Sequence, residues 1–151
     1  MKIESSAFRN NSEIPSRFTC DGEGVNPGLI FKDIPKEAKS LALVVDDPDA
    51  EPAGTWVHWL MWNVTPNVME IKEASTPAGA VVGANSWSDS PFRNSFGAPC
   101  PPNGSHRYFF KLYALDIVLN IPSTSQSKDL VSAMEGHILS KAELMGRYQR
   151  K

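Results

Sequence analysis

The sequence is poor in the residues that carry most covalent and metal chemistry, with two cysteines and three histidines among 151 residues. Cys20 and Cys100 form no C-x-x-C pair, and their spacing reads as two reduced thiols of an intracellular protein. A bridge would need their Cα atoms within about 7 Å, which sequence does not show. No run approaches the roughly 18 apolar residues of a membrane span. The opening M-K-I-E-S-S-A-F-R-N-N lacks the apolar segment of a secretory signal, so a cytoplasmic location is expected. A basic excess is missing too. The formal net charge is -2, which argues against a nucleic-acid partner, because phosphate contacts dominate that affinity. Neither a G-x-S-x-G elbow nor an H-E-x-x-H motif occurs, and there is no internal repeat or low-complexity tract.

The composition that is present belongs to an ordinary globular chain, 41% hydrophobic and 21% charged. Its length suits one domain spanning residues 1–151. All twelve prolines lie in the first 122 residues, punctuation that suits short strands joined by turns. Ser40 to Asp46, Trp56 to Val64 and His106 to Leu115 read as strands, the second apolar on both faces and therefore central. Weaker strands are expected near Ser16 to Cys20, Gly28 to Phe31 and Gly79 to Ala84. From Asp129 to Tyr148 the residues Leu130, Met134, Ile138, Met145 and Tyr148 recur near helical period, with Ser127 as N-cap. The spacing predicts one or two helices packed on a sheet.

Two segments carry candidate chemistry. Asp46 to Trp59, D-D-P-D-A-E-P-A-G-T-W-V-H-W, joins two strands. Pro48 and Pro52 stiffen a loop bearing Asp46, Asp47, Asp49 and Glu51. Four carboxylates this close repel, so any that turn inward need a partner, and His58 is near in sequence. A solvated acidic turn satisfies the same spacing. Gly97 to Phe109, G-A-P-C-P-P-N-G-S-H-R-Y-F, is a second stiff loop entering a strand. Alternation puts His106, Tyr108, Phe110 and Leu112 on one strand face, Arg107 and Lys111 on the other. Tyr108 also fits a plain core role. His137 falls in the predicted C-terminal helix and reads as a packing or capping residue.

The motifs D-P-D-A-(E)-P, W-V-H-W, P-C-P-P-x-G-x-H-R-Y and the closing M-E-G-H-I-L-S-K-A-E-L-M-G-R-Y resemble the phosphatidylethanolamine-binding protein family. The resemblance is strongest to its bacterial and archaeal branch, the Raf kinase inhibitor-like proteins, and runs through nearly the whole chain. It implies a mainly β fold, an antiparallel β-sandwich with one or two peripheral C-terminal helices. It also implies a pocket for phosphate, phosphorylated head groups and similar anions. The ligand-binding positions carried over are Asp47, Asp49, His58, Cys100, Pro101, His106 and Tyr108. Glu51 departs from the family pattern by intervening before Pro52, adding a carboxylate at the mouth. Gly28 and Phe31 stand where the family often has proline and tryptophan.

The expected function is small-anion binding without cofactor or catalysis. Some relatives regulate a protein kinase or a protease, and some form homodimers. The physical expectation is that Asp47 accepts a hydrogen bond from His58 or His106 and favours a protonated imidazole. That imidazole and the Tyr108 hydroxyl then donate to ligand oxygens. The alternative is a hydrolase in the same pocket, either metal-dependent through His58, His106 and an aspartate, or using an Asp–His general base with Cys100 as nucleophile.

Overall fold

Residues 41–45, L-A-L-V-V, are apolar on both faces of a strand, so the strand they form must be covered on both sides. The computed structural model, which describes residues 1–87 and 89–151, shows how. In chain order the elements are β1 (Lys2–Glu4), β2 (Ser12–Glu13), β3 (Leu29–Lys32), β4 (Ser40–Ala50) and β5 (Gly54–Val64). They continue with β6 (Glu70–Ile71), β7 (Val81–Val82), β8 (His106–Leu115), α1 (Ser127–Met134) and β9 (Ile138–Tyr148). A six-stranded sheet has the order β2-β9-β8-β4-β5-β7, and a three-stranded sheet the order β1-β3-β6. Pairing is antiparallel except between β2 and β9. The fold is therefore mainly β, as expected.

Alternation sorts the central residues into two cores. Leu41, Leu43 and Val45 of β4 join Trp59, Met61, Phe110 and Leu112 against Ile3, Leu29 and Phe31 of the smaller sheet. Ala42 and Val44 face the other way, with Leu60 and Trp62, under Leu130 and Met134 of α1. Truncating one of these buried leucines to alanine costs about 2–5 kcal/mol. The rigid slab this produces holds β4, β5 and β8 side by side, and their ends carry the histidines.

The C-terminal region corrects the sequence reading. Only residues 127–134 are helical, and Ile138–Tyr148 is a strand paired with β8 from Leu115↔Ile138 to His106↔Tyr148. The helix ends because Gly136 adopts φ +80°, a conformation an L side chain resists. Beyond it the buried residues are Leu144, Gly146 and Tyr148, a strand period, while Ile138 is exposed. The helical spacing of Met134 and Ile138 is thus accidental. The N-cap is Gln126 rather than Ser127, and its backbone N–H donates to Asp129 Oδ2 at 2.9 Å. Ser16–Phe18 forms a 3-10 turn in place of the expected strand, the strand expected at Gly28–Phe31 is present one residue later as β3, and the one expected at Gly79–Ala84 shrinks to β7.

The cysteine reading is overturned. Cys20 and Cys100 form a disulfide with their Cα atoms 5.4 Å apart, well inside bridging range. Eighty positions separate them in sequence, so only the folded chain brings them together. The argument for a reducing compartment from two free thiols falls with it. Among the described residues no helix is long and apolar enough to cross a membrane.

Candidate functional site

The end of β4 eases its own repulsion by sending Asp46, Asp47 and Asp49 to different partners. Successive strand residues point to opposite faces. Asp46 therefore turns to the far face of the sheet, where its Oδ2 accepts from Lys111 Nζ at 2.9 Å. Burial pushes the Asp46 carboxyl up, against the pull of Lys111. Asp47 turns inward and is 3% exposed. Its Oδ2 accepts from His106 Nδ1 at 2.7 Å, and its Oδ1 accepts the Asp49 backbone N–H at 2.7 Å. Asp49 accepts from Arg107 three times, from the backbone N–H at 3.0 Å, Nε at 2.9 Å and Nη2 at 2.8 Å. That guanidinium holds the Asp49 carboxyl down at about 2. Asp47 and Asp49 thus pin the end of β4 to the start of β8 at two consecutive residues, His106 and Arg107.

His58 reaches the same place from β5. Its Nδ1 donates to the Gly97 carbonyl at 2.8 Å, and the Gly97 N–H returns a bond to the His58 carbonyl at 2.8 Å. Gly97 has to be glycine here, because a Cβ would collide with the Trp87 indole. The His58 ring meets Trp87 and Tyr108 edge-on, with centroids 5.1 and 5.2 Å away. It is 4% exposed, and burial lowers its pKa to about 4. The ring is therefore neutral near pH 7, with its hydrogen on Nδ1. Tyr108 is 1% exposed, and burial, followed by the nearby Asp47, pushes its hydroxyl up. The phenol stays protonated and can donate.

These groups line one cavity of about 270 Å³. Of the positions expected from sequence, Asp47, His58, Cys100, Pro101, His106 and Tyr108 line it together. Asp49 does not, because its carboxylate is spent on Arg107. Glu51 stands among the lining residues, where the sequence departure pointed. Trp56, Trp87 and Pro102 line it as well and were not singled out from sequence. Trp56 had a signal, since it lies two residues before His58 on the same strand face. Trp87 had none, because it arrives on a separate loop. A recess of about 390 Å³ alongside shares Ala53 and Trp56 but contains no imidazole.

His137 lies outside the site, in the turn after α1, where its Nδ1 meets Asp116 Oδ1 at 2.8 Å. No group of three or more His, Cys, Asp and Glu side chains is placed to hold a metal among the described residues. Cys100, the nucleophile of the hydrolase alternative, is tied up in the disulfide.

The chain is similar to proteins of several archaea and bacteria along its whole length. A protein called UPF0098 from Methanothermobacter thermautotrophicus is 44% identical over 155 residues, covering 99% of both chains. A protein of the same designation from Chlamydia trachomatis serovar D is 41% identical over 154 residues, again covering 99% of both. Among solved structures, a Chlamydia trachomatis homologue of phosphatidylethanolamine-binding protein superposes with a TM-score of 0.93 at 40% identity, over 99% of this chain and 97% of that one. Escherichia coli YbcL, described as a member of the mammalian family, gives 0.89 at 26% identity, over 99% and 98%. The sequence profile of phosphatidylethanolamine-binding protein matches residues 4–149. With the fold, the paired motifs and this match in agreement, the chain belongs to the phosphatidylethanolamine-binding protein family.

Proposed function

We propose that this protein binds a small anion, phosphate or a phosphorylated head group, in the cavity between β4, β5 and β8, and does not turn it over. The observation that carries the reading is the buried Asp47–His106 pair opening beside the Tyr108 hydroxyl. Asp47 fixes the His106 ring through Nδ1, which leaves Nε2 as the ring's free nitrogen. In the imidazolium form Nε2 donates to a ligand oxygen, and Tyr108 supplies a second donor. Each charge-assisted bond contributes roughly 1.5–3 kcal/mol before ordering costs. Two or three such bonds correspond to affinities in the micromolar to millimolar range. The indoles of Trp56 and Trp87 suit an aliphatic or aromatic substituent on the anion.

Hydrolysis is the weaker reading, because an Asp–His pair needs a nucleophile and Cys100 is oxidised. Regulation of a kinase or protease fits the same cavity if a phosphorylated side chain of the partner enters it. The test is a calorimetric titration of the full chain with inorganic phosphate, phosphoethanolamine and O-phosphotyrosine. Saturable binding that is lost in folded His106→Ala and Asp47→Ala is expected. The titrations are run at both pH 6 and pH 8. Absence of binding by folded wild type at both pH values would overturn the reading.

A further inference from the structure

The cavity offers a neutral acceptor as well as donors, and that acceptor is His58. A carbonyl oxygen can only accept, so the bond from His58 Nδ1 to the Gly97 oxygen fixes one ring hydrogen on Nδ1. A second hydrogen on Nε2 would make the ring cationic. Asp47 favours such a charge, but burial outweighs it. The one carboxylate facing the ring from β4 is Asp47, and its two oxygens are committed to His106 and the Asp49 N–H. From β8 the ring meets His106, a potential cation, and Tyr108, whose hydroxyl stays protonated. From the loop it meets the Trp87 edge. Burial works against the charge in the same direction. Nε2 therefore presents a lone pair as the remaining polar atom of a ring that lines the cavity, and no described residue donates to it.

The geometry points to a ligand that brings its own proton: a tetrahedral oxyacid anion still carrying an acidic O–H, donated to His58 Nε2, with its bare oxygens accepting from His106 and Tyr108. This rests on the anion-cavity reading and narrows it to phosphate or phosphonate monoanions. A fully deprotonated oxyanion sets an oxygen lone pair against the His58 nitrogen lone pair. Sites built to hydrogen-bond a ligand O–H discriminate strongly against analogues that lack it, because the buried partner is left unpaired. His58 is then the specificity-determining residue, and His106 with Asp47 supplies the attraction for charge.

The experiment compares methylphosphonate and methanesulfonate at pH 6, by calorimetry or NMR titration of the full wild-type chain. Both are tetrahedral, of nearly equal size and singly negative at that pH, and only methylphosphonate carries an acidic O–H. Methylphosphonate is expected to bind about tenfold or more tighter, a difference of about 1.4 kcal/mol. Folded His58→Gln, whose amide can rotate to donate, should bring the two within about threefold, since its N–H satisfies either oxygen. Equal affinities in wild type, or a preference for methanesulfonate, would overturn the inference and leave the anion cavity standing. Binding of neither ligand would overturn the anion reading itself.

Discussion

Asp47 and His106, 59 positions apart in sequence, meet at 2.7 Å in the interior, and the same carboxylate also holds the turn that follows it. Asp47→Ala removes one acceptor from two donors at once. Stability should fall by roughly 1–3 kcal/mol in urea denaturation, the cost of leaving buried donors unpaired. Phosphate affinity should fall about tenfold or more in the same variant, because the ring is no longer oriented. A variant that keeps wild-type affinity would show that His106 does not depend on Asp47 to face the ligand.

His58 makes stability depend on pH. Its ordinary value of 6.5 is lowered to about 4 by burial, so the unfolded chain takes up a proton that the folded chain refuses. The contribution is complete above about pH 6.5 and is lost as pH falls toward 4. The loss is at most about 3 kcal/mol. Urea midpoints measured at pH 7 and pH 4.5 should differ less in His58→Gln than in wild type. Equal differences would mean that the ring protonates freely in the folded protein.

Asp49 is read as a brace. Its carboxyl, at about 2, lies below the ordinary 3.8 because of Arg107, so its contribution is present above about pH 4 and lost as pH falls through 2. The Arg107 side chain is 42% exposed, and solvent screens the pair. Asp49→Asn should cost only about 0.5–1 kcal/mol. Phosphate affinity should stay within about threefold of wild type, a range of about 0.65 kcal/mol. A larger loss of affinity would return Asp49 to the ligand contacts.

Glu51 places a negative charge on the cavity wall, and two like charges a few ångströms apart in solvent repel by about 1 kcal/mol. Glu51→Gln should therefore tighten phosphate binding about two- to fivefold at low ionic strength, with the gain shrinking in high salt. An unchanged affinity at low salt would show that the Glu51 side chain swings clear of the bound anion.

The disulfide joins the 97–105 loop to the turn after Phe18, where the Cys20 N–H also donates to the Pro99 carbonyl at 3.0 Å. Alkylation under denaturing conditions should find no free thiol before reduction and two after it. Cys20→Ser/Cys100→Ser should lower stability by roughly 2–5 kcal/mol, because the bond closes a long loop in the unfolded chain. Phosphate affinity should fall too, since Cys100 and Pro101 line the cavity. Two alkylated thiols without reductant would show that the protein is purified reduced.

The strands that carry the site are legible in the local residue pattern. Composition and alternation in 40–46, 56–64 and 106–115 needed no partner to be read, because a two-residue period and two apolar faces are local properties. The stiff loops before His58 and His106 were legible for the same reason: proline restricts its own neighbourhood. The rest depends on contacts between segments far apart in the chain. Ile138–Tyr148 reads as helix until β8 offers it a register, since pairing energy over eleven residues overrides a sparse apolar spacing. Which histidine Asp47 would choose was open, and β4 lying beside β8 settled it for His106, leaving His58 to the Gly97 carbonyl. The Arg107 partner of Asp49 and the pairing of the cysteines were hidden for the same physical reason: hydrogen bonds and disulfides depend on distances of a few ångströms. Over 58 or 80 positions of sequence, only the packed fold fixes such distances.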